Sequence, residues 1–159
     1  MSNVTIVNST SNQFHADYDI SKIFVFGNRY QQASFINGTG AQASFAAGTV
    51  VGRIAATGKI TICDSTATDG SQFPIGILKT AITDLANAAS IDANYCLKGD
   101  VVADKLVFSG AETLSTVVTV VDGDVAPTNT TYVKIMRDLI QALGIILVDS
   151  TELTGYDNQ

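Results

Sequence analysis

The amino-acid sequence predicts a mainly β protein: a small sandwich or barrel with one amphipathic C-terminal helix and an extended N-terminal arm. Short runs rich in Val, Ile and Phe recur from about residue 22 to residue 121, each bounded by Gly, Asn or Asp, which is typical of all-β sandwiches and barrels. One window near the C-terminus has helical periodicity instead. We therefore expect two parts, an extended arm at residues 1–20 and a single β-rich domain at residues 21–159.

Length and composition limit the classes of function. The 159 residues suffice for one domain with a core, and 46% of them are apolar, which excludes disorder over most of the chain. Charged residues make up 15%, against roughly 25% in an average domain, which indicates that a partner covers part of the surface. The net charge of −6, with nine scattered basic residues, argues against a nucleic-acid or anionic-membrane partner.

The chain shows no sign of secretion or membrane insertion. No basic residue precedes Lys22, so no signal peptide is predicted, and the apolar run at residues 145–148 is too short to span a bilayer. We expect a soluble protein made in a cytoplasm. Cys63 and Cys96 lie in apolar, strand-like segments and are predicted to be buried, reduced thiols.

Residues 2–13, SNVTIVNSTSNQ, are polar except for a small apolar patch. Val4, Thr5, Ile6 and Val7 suit an extended strand, yet the segment has too little apolar surface to fold alone. A terminus without fixed structure is the commoner case. The alternative is an arm that becomes a strand when it meets a sheet edge on another chain.

The strands of the domain follow from apolar runs and turn residues. Hairpin turns are predicted at Asn37-Gly38 and at Thr57-Gly58. The predicted strands cover residues 23–26, 33–36, 48–52, 59–63, 76–79, 95–97, 101–102, 105–108 and 117–121.

Two helical segments are predicted. Residues 83–89 favour a short turn of helix. Residues 131–143, TYVKIMRDLIQAL, place apolar side chains on one face and polar ones on the other, with Gly144 as the stop and a strand at residues 145–148 after it. The apolar face comprises Tyr132, Met136, Leu139, Ile140 and Leu143.

The stretch DSTATDGSQFPIGIL, residues 64–78, has the composition of a metal or phosphate site. Its acids Asp64 and Asp69 lack the alternating spacing and the closing Glu of a calcium loop. Ordinary turn chemistry explains Asp69-Gly70, and also the pair Asp122 and Asp124. We interpret the stretch as strand, polar turn and strand: Thr68, Asp69 and Gly70 form the turn, Pro74 opens the next strand, and Gly76 marks a bulge or a close backbone approach.

No sequence motif nominates a catalytic nucleophile or an acid–base pair. Residues 52–60 resemble a phosphate loop, but the glycine spacing is one residue too long, and Ile60 stands where Ser or Thr must hold magnesium. His15 lies near the polar terminus without a nucleophile beside it, and neither Glu112 nor Glu152 belongs to a recognisable acid–base pair. We expect no enzyme activity, no cofactor and no bound metal.

Residues 50–78, VVGRIAATGKITICDSTATDGSQFPIGIL, resemble the core of the lambda D-like head decoration (capsid cement) proteins of tailed bacteriophages. The matching elements are a basic residue entering a strand, an acid ending it, a Thr-Asp-Gly turn, and a Gly-Ile-Leu strand after a proline. Residues 99–109, GDVVADKLVFS, are similar to a later strand pair of that family. The positions that carry the resemblance are Lys59, Asp64, Thr68, Asp69, Gly70, Pro74, Gly76, Ile77 and Leu78.

The resemblance implies a β-tulip-type domain and a structural role in the virion. Members of that family bind the outside of an expanded capsid as homotrimers, at three-fold and quasi-three-fold positions, and cement neighbouring capsid subunits. The implied partners are the major capsid protein and further copies of the chain, and the implied location is the capsid exterior after assembly in the host cytoplasm. Val4, Thr5, Ile6 and Val7 would then be the capsid-binding strand of the arm.

Two other functions stay open from the sequence. A phage tail or baseplate component would also be β-rich and oligomeric, although the Gly and Asn turns cut the strands shorter than a tail tube needs. A small ligand-binding β domain is the other alternative. Its expected sign, a cluster of exposed aromatic residues, is weak here, because the chain has no Trp and its five Tyr are dispersed.

Overall fold

The computed structural model describes residues 22–121 and 131–149. The predicted arm, with Val4, Thr5, Ile6 and Val7, lies outside these residues, as do His15, Asp122 and Asp124. The elements in chain order are β1 (Phe24–Ile36), β2 (Ala43–Phe45), β3 (Val50–Arg53), β4 (Ile60–Ile62), β5 (Pro74–Leu78), β6 (Ile82–Leu85), β7 (Ser90–Val102), a 3-10 helix (Ala103–Lys105), β8 (Val117–Val121), β9 (Thr131–Ile135), α1 (Met136–Ala142) and β10 (Ile145–Val148).

Five strands form a closed barrel. Their order is β1-β4-β3-β5-β7, and β7 pairs back onto β1 along almost its whole length, so that the sheet returns to its first strand. β10 lies parallel to β7 and pairs with its last four residues, Gly99 to Val102. The predicted mainly β fold, with a barrel and one C-terminal helix, is confirmed.

The sheet separates two apolar cores, because adjacent residues of a strand point to opposite faces. Val50 of β3, Ile77 of β5 and Cys96 of β7 belong to one core, where α1, β8 and β10 pack. Their chain neighbours Val51, Leu78 and Tyr95 belong to the other. The small sheet of β2 and β6 covers that second core, and Phe45 of β2 packs edge to face on Phe35 at 4.7 Å between ring centroids.

β1 and β7 are each one long strand where the sequence predicted two. The turn residues Gly27-Asn28 and Gly99 lie inside these strands as irregularities of the ladder, not at their ends. A Cβ on Gly99, whose φ is +125°, would lie 2.6 Å from the Asn28 Cα atom, so the two backbones touch there. Asn28 also donates a hydrogen bond to the Asp100 carbonyl at 3.1 Å. The turn residues bend the paired strands without ending them.

The hairpin predicted at Asn37-Gly38 was wrong, whereas the Thr57-Gly58 turn joins β3 to β4 as expected. Asn37 is fully buried, and its side-chain amide donates to the carbonyls of Ala41 and Leu85 at 2.8 and 2.7 Å. Its side-chain oxygen accepts from the Thr39 amide and hydroxyl. A residue expected at a turn tip therefore holds a loop together from inside.

Two further segments differ from the prediction. Residues 83–89 contain the end of β6 and a loop, with Asp84 and Ala88 at positive φ, which excludes a helical turn. Residues 105–108 make a single bridge, from Val107 to Thr49, because the 3-10 helix interrupts the strand.

The predicted helix at residues 131–143 is half strand. β9 takes its first five residues and pairs with β8 from Val117↔Ile135 to Val121↔Thr131, so only Met136–Ala142 are helical. Thr131, Val133 and Ile135 are β-branched, which favours the strand. The Met136 and Arg137 amides donate to the Thr116 and Leu114 carbonyls, which satisfies two amides of the first turn of α1 without a capping side chain.

Candidate functional site: the acidic loop and the Gly-Ile-Leu strand

The residues that carry the family resemblance lie on β4, on β5 and in the loop between them. β4 and β5 do not pair with each other, because β3 lies between them and pairs antiparallel with both. β4 and β5 therefore run parallel to each other, and the loop 63–73, which we call the acidic loop, passes over β3 with the Ser71 backbone directly against Gly52. It is a crossover connection and not the turn of a hairpin. Lys59 enters β4, and its ammonium group donates to the Ser90 hydroxyl at 2.9 Å.

Local hydrogen bonds occupy the acids of this loop. The Asp64 carboxylate accepts from the Thr66 amide at 2.9 Å and from the Thr66 hydroxyl. The Asp69 carboxylate accepts in the same way from the Ser71 hydroxyl and amide. These bonds hold the pKa of Asp69 below its ordinary value. Both aspartates thus stabilise turns through their own side chains, which the sequence predicted for Asp69 but not for Asp64.

Glycines let the loop and β5 lie directly against their neighbours. Gly70 has φ +101° and a built Cβ would lie 2.9 Å from the Arg53 carbonyl oxygen. Gly76 pairs with Val51, and a Cβ there would lie 2.4 Å from the Cys96 carbonyl oxygen, so the close backbone approach predicted for Gly76 is confirmed.

The remaining motif residues are part of the barrel wall. Pro74 begins β5 opposite Gly52, where the ladder is irregular, as expected of a proline at a strand entrance. Ile77 and Leu78 are both fully buried, one in each core. Thr68 is exposed on the loop. The resemblance is thus carried by residues that determine how the loop packs and how β5 enters the barrel.

Glu112 supports the acidic loop from a distant part of the chain. Its carboxylate accepts from the Ser65 amide at 2.7 Å and from the Ser65 hydroxyl, 47 positions away in sequence. The other carboxylate oxygen is buried and has no hydrogen-bond partner among the described residues. No local pattern indicates this contact, so sequence reasoning did not find it.

The two cysteines are free and buried, as predicted. Burial, with the Glu112 and Asp64 carboxylates nearby, raises the pKa of Cys63 to about 12, which keeps this thiol protonated near neutral pH. The Cys63 thiol donates to the Gln72 carbonyl at 3.4 Å, and the Cys96 thiol to the Lys98 carbonyl at 3.2 Å.

In residues 22–121 and 131–149, no three His, Cys, Asp or Glu side chains come together as metal ligands. The helices within these described ranges fall short of the length and hydrophobicity that a membrane-spanning helix needs. The acidic loop therefore has a structural role: it connects β4 to β5 and packs closely against β3.

A second feature of the surface was not predicted. Phe26 and Ile146 are 68% and 61% exposed, and both have Asp100 of β7 as their cross-strand partner, Phe26 from β1 and Ile146 from β10. Cross-strand partners project from the same face of a sheet, so the two apolar side chains flank Asp100 about 10 Å apart. Arg29 and Lys98 form the neighbouring cross-strand pair, and both are exposed.

Comparison with known proteins agrees with the resemblance seen in the motif. The family model described as bacteriophage lambda head decoration protein D matches residues 27–125, well over half of the chain. This range runs from the fourth residue of β1 beyond the end of β8 and includes all of the barrel except the first three residues of β1. No curated protein matches the chain. The chain therefore belongs to the lambda head decoration protein D family, a family of structural proteins of the phage head.

Proposed function

We propose that this protein is a capsid cement protein, which binds the outer surface of an expanded phage capsid as a homotrimer and clamps neighbouring capsid subunits. The sites of binding are the three-fold and quasi-three-fold positions of the lattice. The partners are the major capsid protein and two further copies of the chain, and the protein resides on the exterior of virions assembled in the host cytoplasm. The family match over residues 27–125 is the observation that carries this proposal.

Composition supports the same function. A chain with 15% charged residues and a net charge of −6 suits a surface that is covered by protein partners and does not retain DNA. A three-fold ring needs a heterologous contact that closes after three subunits. Because such a protein binds the expanded lattice and not its precursor, it stabilises the expanded state by mass action.

The proposal assigns different roles to the two parts of the chain. Residues 1–20 form the capsid-binding arm, with Val4, Thr5, Ile6 and Val7 adding a strand to a sheet edge of the capsid protein. Residues 21–159 form the single β-rich domain that the arm tethers. Lys22, the first described residue, lies two residues before the barrel strand β1, so the arm would join the domain beside the barrel wall.

The experiment is to delete residues 2–13 and to measure binding to expanded, undecorated capsids of the parent phage. The truncated protein should keep the far-ultraviolet circular dichroism and the unfolding midpoint of the full chain, but its occupancy on capsids should fall. Ile6→Ser should weaken binding, whereas the matched polar exchange Asn8→Ser should not. Undiminished binding of the deleted protein would rule out the arm, and failure of the full chain to bind would rule out the cement function. Light scattering of the free protein and of the decorated capsids tests the trimer.

A further inference from the structure

We propose that the exposed patch formed by Phe26, Asp100 and Ile146, with Arg29 and Lys98 beside it, is a second capsid-docking surface. It contacts an apolar feature of the capsid protein that has carboxylates next to it. This inference rests on the proposed function and names the part of the folded domain that touches the shell. We call these five residues the Phe26–Ile146 patch.

The first argument is that the patch includes an unpaired sheet edge among the described strands. β10, Ile145–Val148, consists of four apolar residues and pairs with β7 on one side. Its other side has no strand partner within the described residues. Natural proteins protect such edges with charged residues, proline or bulges, none of which occurs in β10. An apolar edge strand whose own Ile146 is 61% exposed is typical of a surface that a partner covers.

The second argument concerns charge. Arg29 and Lys98 are positively charged cross-strand partners on an acidic protein. Like charges opposite each other repel, so this pair lowers the stability of the isolated domain. Among the described residues, no carboxylate forms an ion pair with either of them. The stem of Lys98 lies along Gly144, 3.5 Å from the position of a built Cβ, so the side chain stays beside β10. Two cations that flank apolar side chains select a partner with carboxylates around an apolar centre.

The third argument identifies the capsid as the partner. Phe24 of β1, Val101 of β7 and Leu147 of β10 form one row across the sheet, and the patch is the next row. The arm joins the domain at Lys22, two residues before Phe24, and β10 ends at the same end of the barrel. A partner that is bound by the residues before Lys22 is therefore tethered at the end of the barrel that carries the Phe26–Ile146 patch. Two contacts linked in this way bind more tightly than either alone, because the second becomes intramolecular.

The test keeps the arm intact and changes the patch. The double variant Phe26→Asp/Ile146→Asp and, separately, the charge reversal Arg29→Glu are added to expanded, undecorated capsids, and occupancy is measured against protein concentration. Ile91→Asp is the matched control, since Ile91 is a 47% exposed apolar residue near the opposite end of β7. We expect the double variant to bind at least about tenfold more weakly and the control to stay within about twofold of the wild type. Arg29→Glu should weaken binding more at low salt than at high salt.

Two controls separate the outcomes. Circular dichroism and urea unfolding must show that each variant is folded, and Phe26→Ser replaces the double variant if that one is not. Light scattering then gives the oligomeric state of the free proteins. Normal binding by the patch variants would overturn the proposal, and so would weaker binding accompanied by a changed solution mass, which would assign the patch to a contact between copies. If the wild type itself does not bind capsids, the proposed function fails, and the patch proposal fails with it.

Discussion

Replacing Gly76 by alanine should destabilise the barrel, because β5 has no room for a Cβ at this position. The added carbon would lie 2.4 Å from the Cys96 carbonyl oxygen and 2.5 Å from Cδ2 of Tyr95, which is 1% exposed. Ordinary contact begins near 3.4 Å, so β5 and β7 would have to separate by about 1 Å between two cores that are already filled. Overpacking of this kind costs about 1–3 kcal/mol, and we expect a value of about 2 kcal/mol for Gly76→Ala.

The assay is urea unfolding at one fixed protein concentration, followed by far-ultraviolet circular dichroism. Gly38→Ala is the matched control, because its φ is not positive and the nearest atom to its built Cβ is Thr61 Oγ1 at 4.0 Å. An alanine there restricts the unfolded chain and should stabilise the protein by up to about 1 kcal/mol. Equal free energies of unfolding for Gly76→Ala and Gly38→Ala would contradict this reasoning. They would mean that the close approach of β5 to β7 does not make a Cβ at position 76 destabilising.

Three further predictions follow from the cores and the acidic loop. Ile140→Ala should lower the unfolding free energy by about 2–5 kcal/mol in urea melts, because Ile140 is fully buried. Leu143→Ala, at the exposed end of α1, should change it by less than about 1 kcal/mol. Equal effects would mean that α1 is not part of the core. The unfolding free energy should fall as the pH rises from about 9 toward 12, since the folded state keeps the Cys63 proton that the unfolded chain releases. Cys63→Ala should reduce the fall between melts at pH 8 and pH 10.5, and Tyr30, whose pKa burial also raises, should account for part of what remains. Glu112→Ala should cost about 1–3 kcal/mol by leaving the Ser65 amide without its acceptor, whereas Glu112→Gln should retain most of the stability; identical thermal melts of these two variants would contradict the contact.

The sequence predicted the residues whose roles are local. The Asp69-Gly70 turn, Pro74 at a strand entrance, the close approach at Gly76 and the buried thiols depend on side-chain chemistry within a few residues, and the structure confirms them. The Gly-Ile-Leu element and its acidic loop also sufficed to indicate the family.

What the sequence did not predict depends on pairing between distant segments. Gly27 and Gly99 look like strand ends, yet β1 and β7 hold each other extended through both irregularities. Residues 131–135 continue a helical periodicity, but pairing with β8 makes them a strand. Asn37 occupies a favourable hairpin position and is instead buried by contacts with Ala41 and Leu85. In each case a long-range partner overrides the local preference.

The Phe26–Ile146 patch could not be predicted for the same reason. Phe26 and Ile146 are 120 residues apart in the chain and become neighbours only because β1 and β10 flank the same stretch of β7. As single residues in apolar runs, both are indistinguishable from core positions. The exposed fraction of each side chain is the information that the sequence lacks.

The sharing of three strands between the two cores has a consequence for how the domain melts. Val50 and Val51, Ile77 and Leu78, and Cys96 and Tyr95 are chain neighbours that face opposite cores, so a shift of backbone that loosens one core also loosens the other. The barrel should therefore behave as one cooperative unit, with a single calorimetric transition and similar amide hydrogen-exchange protection on both faces of β3, β5 and β7. The two-stranded β8–β9 hairpin does not pair with the barrel sheet, and its amides should exchange at lower free energies.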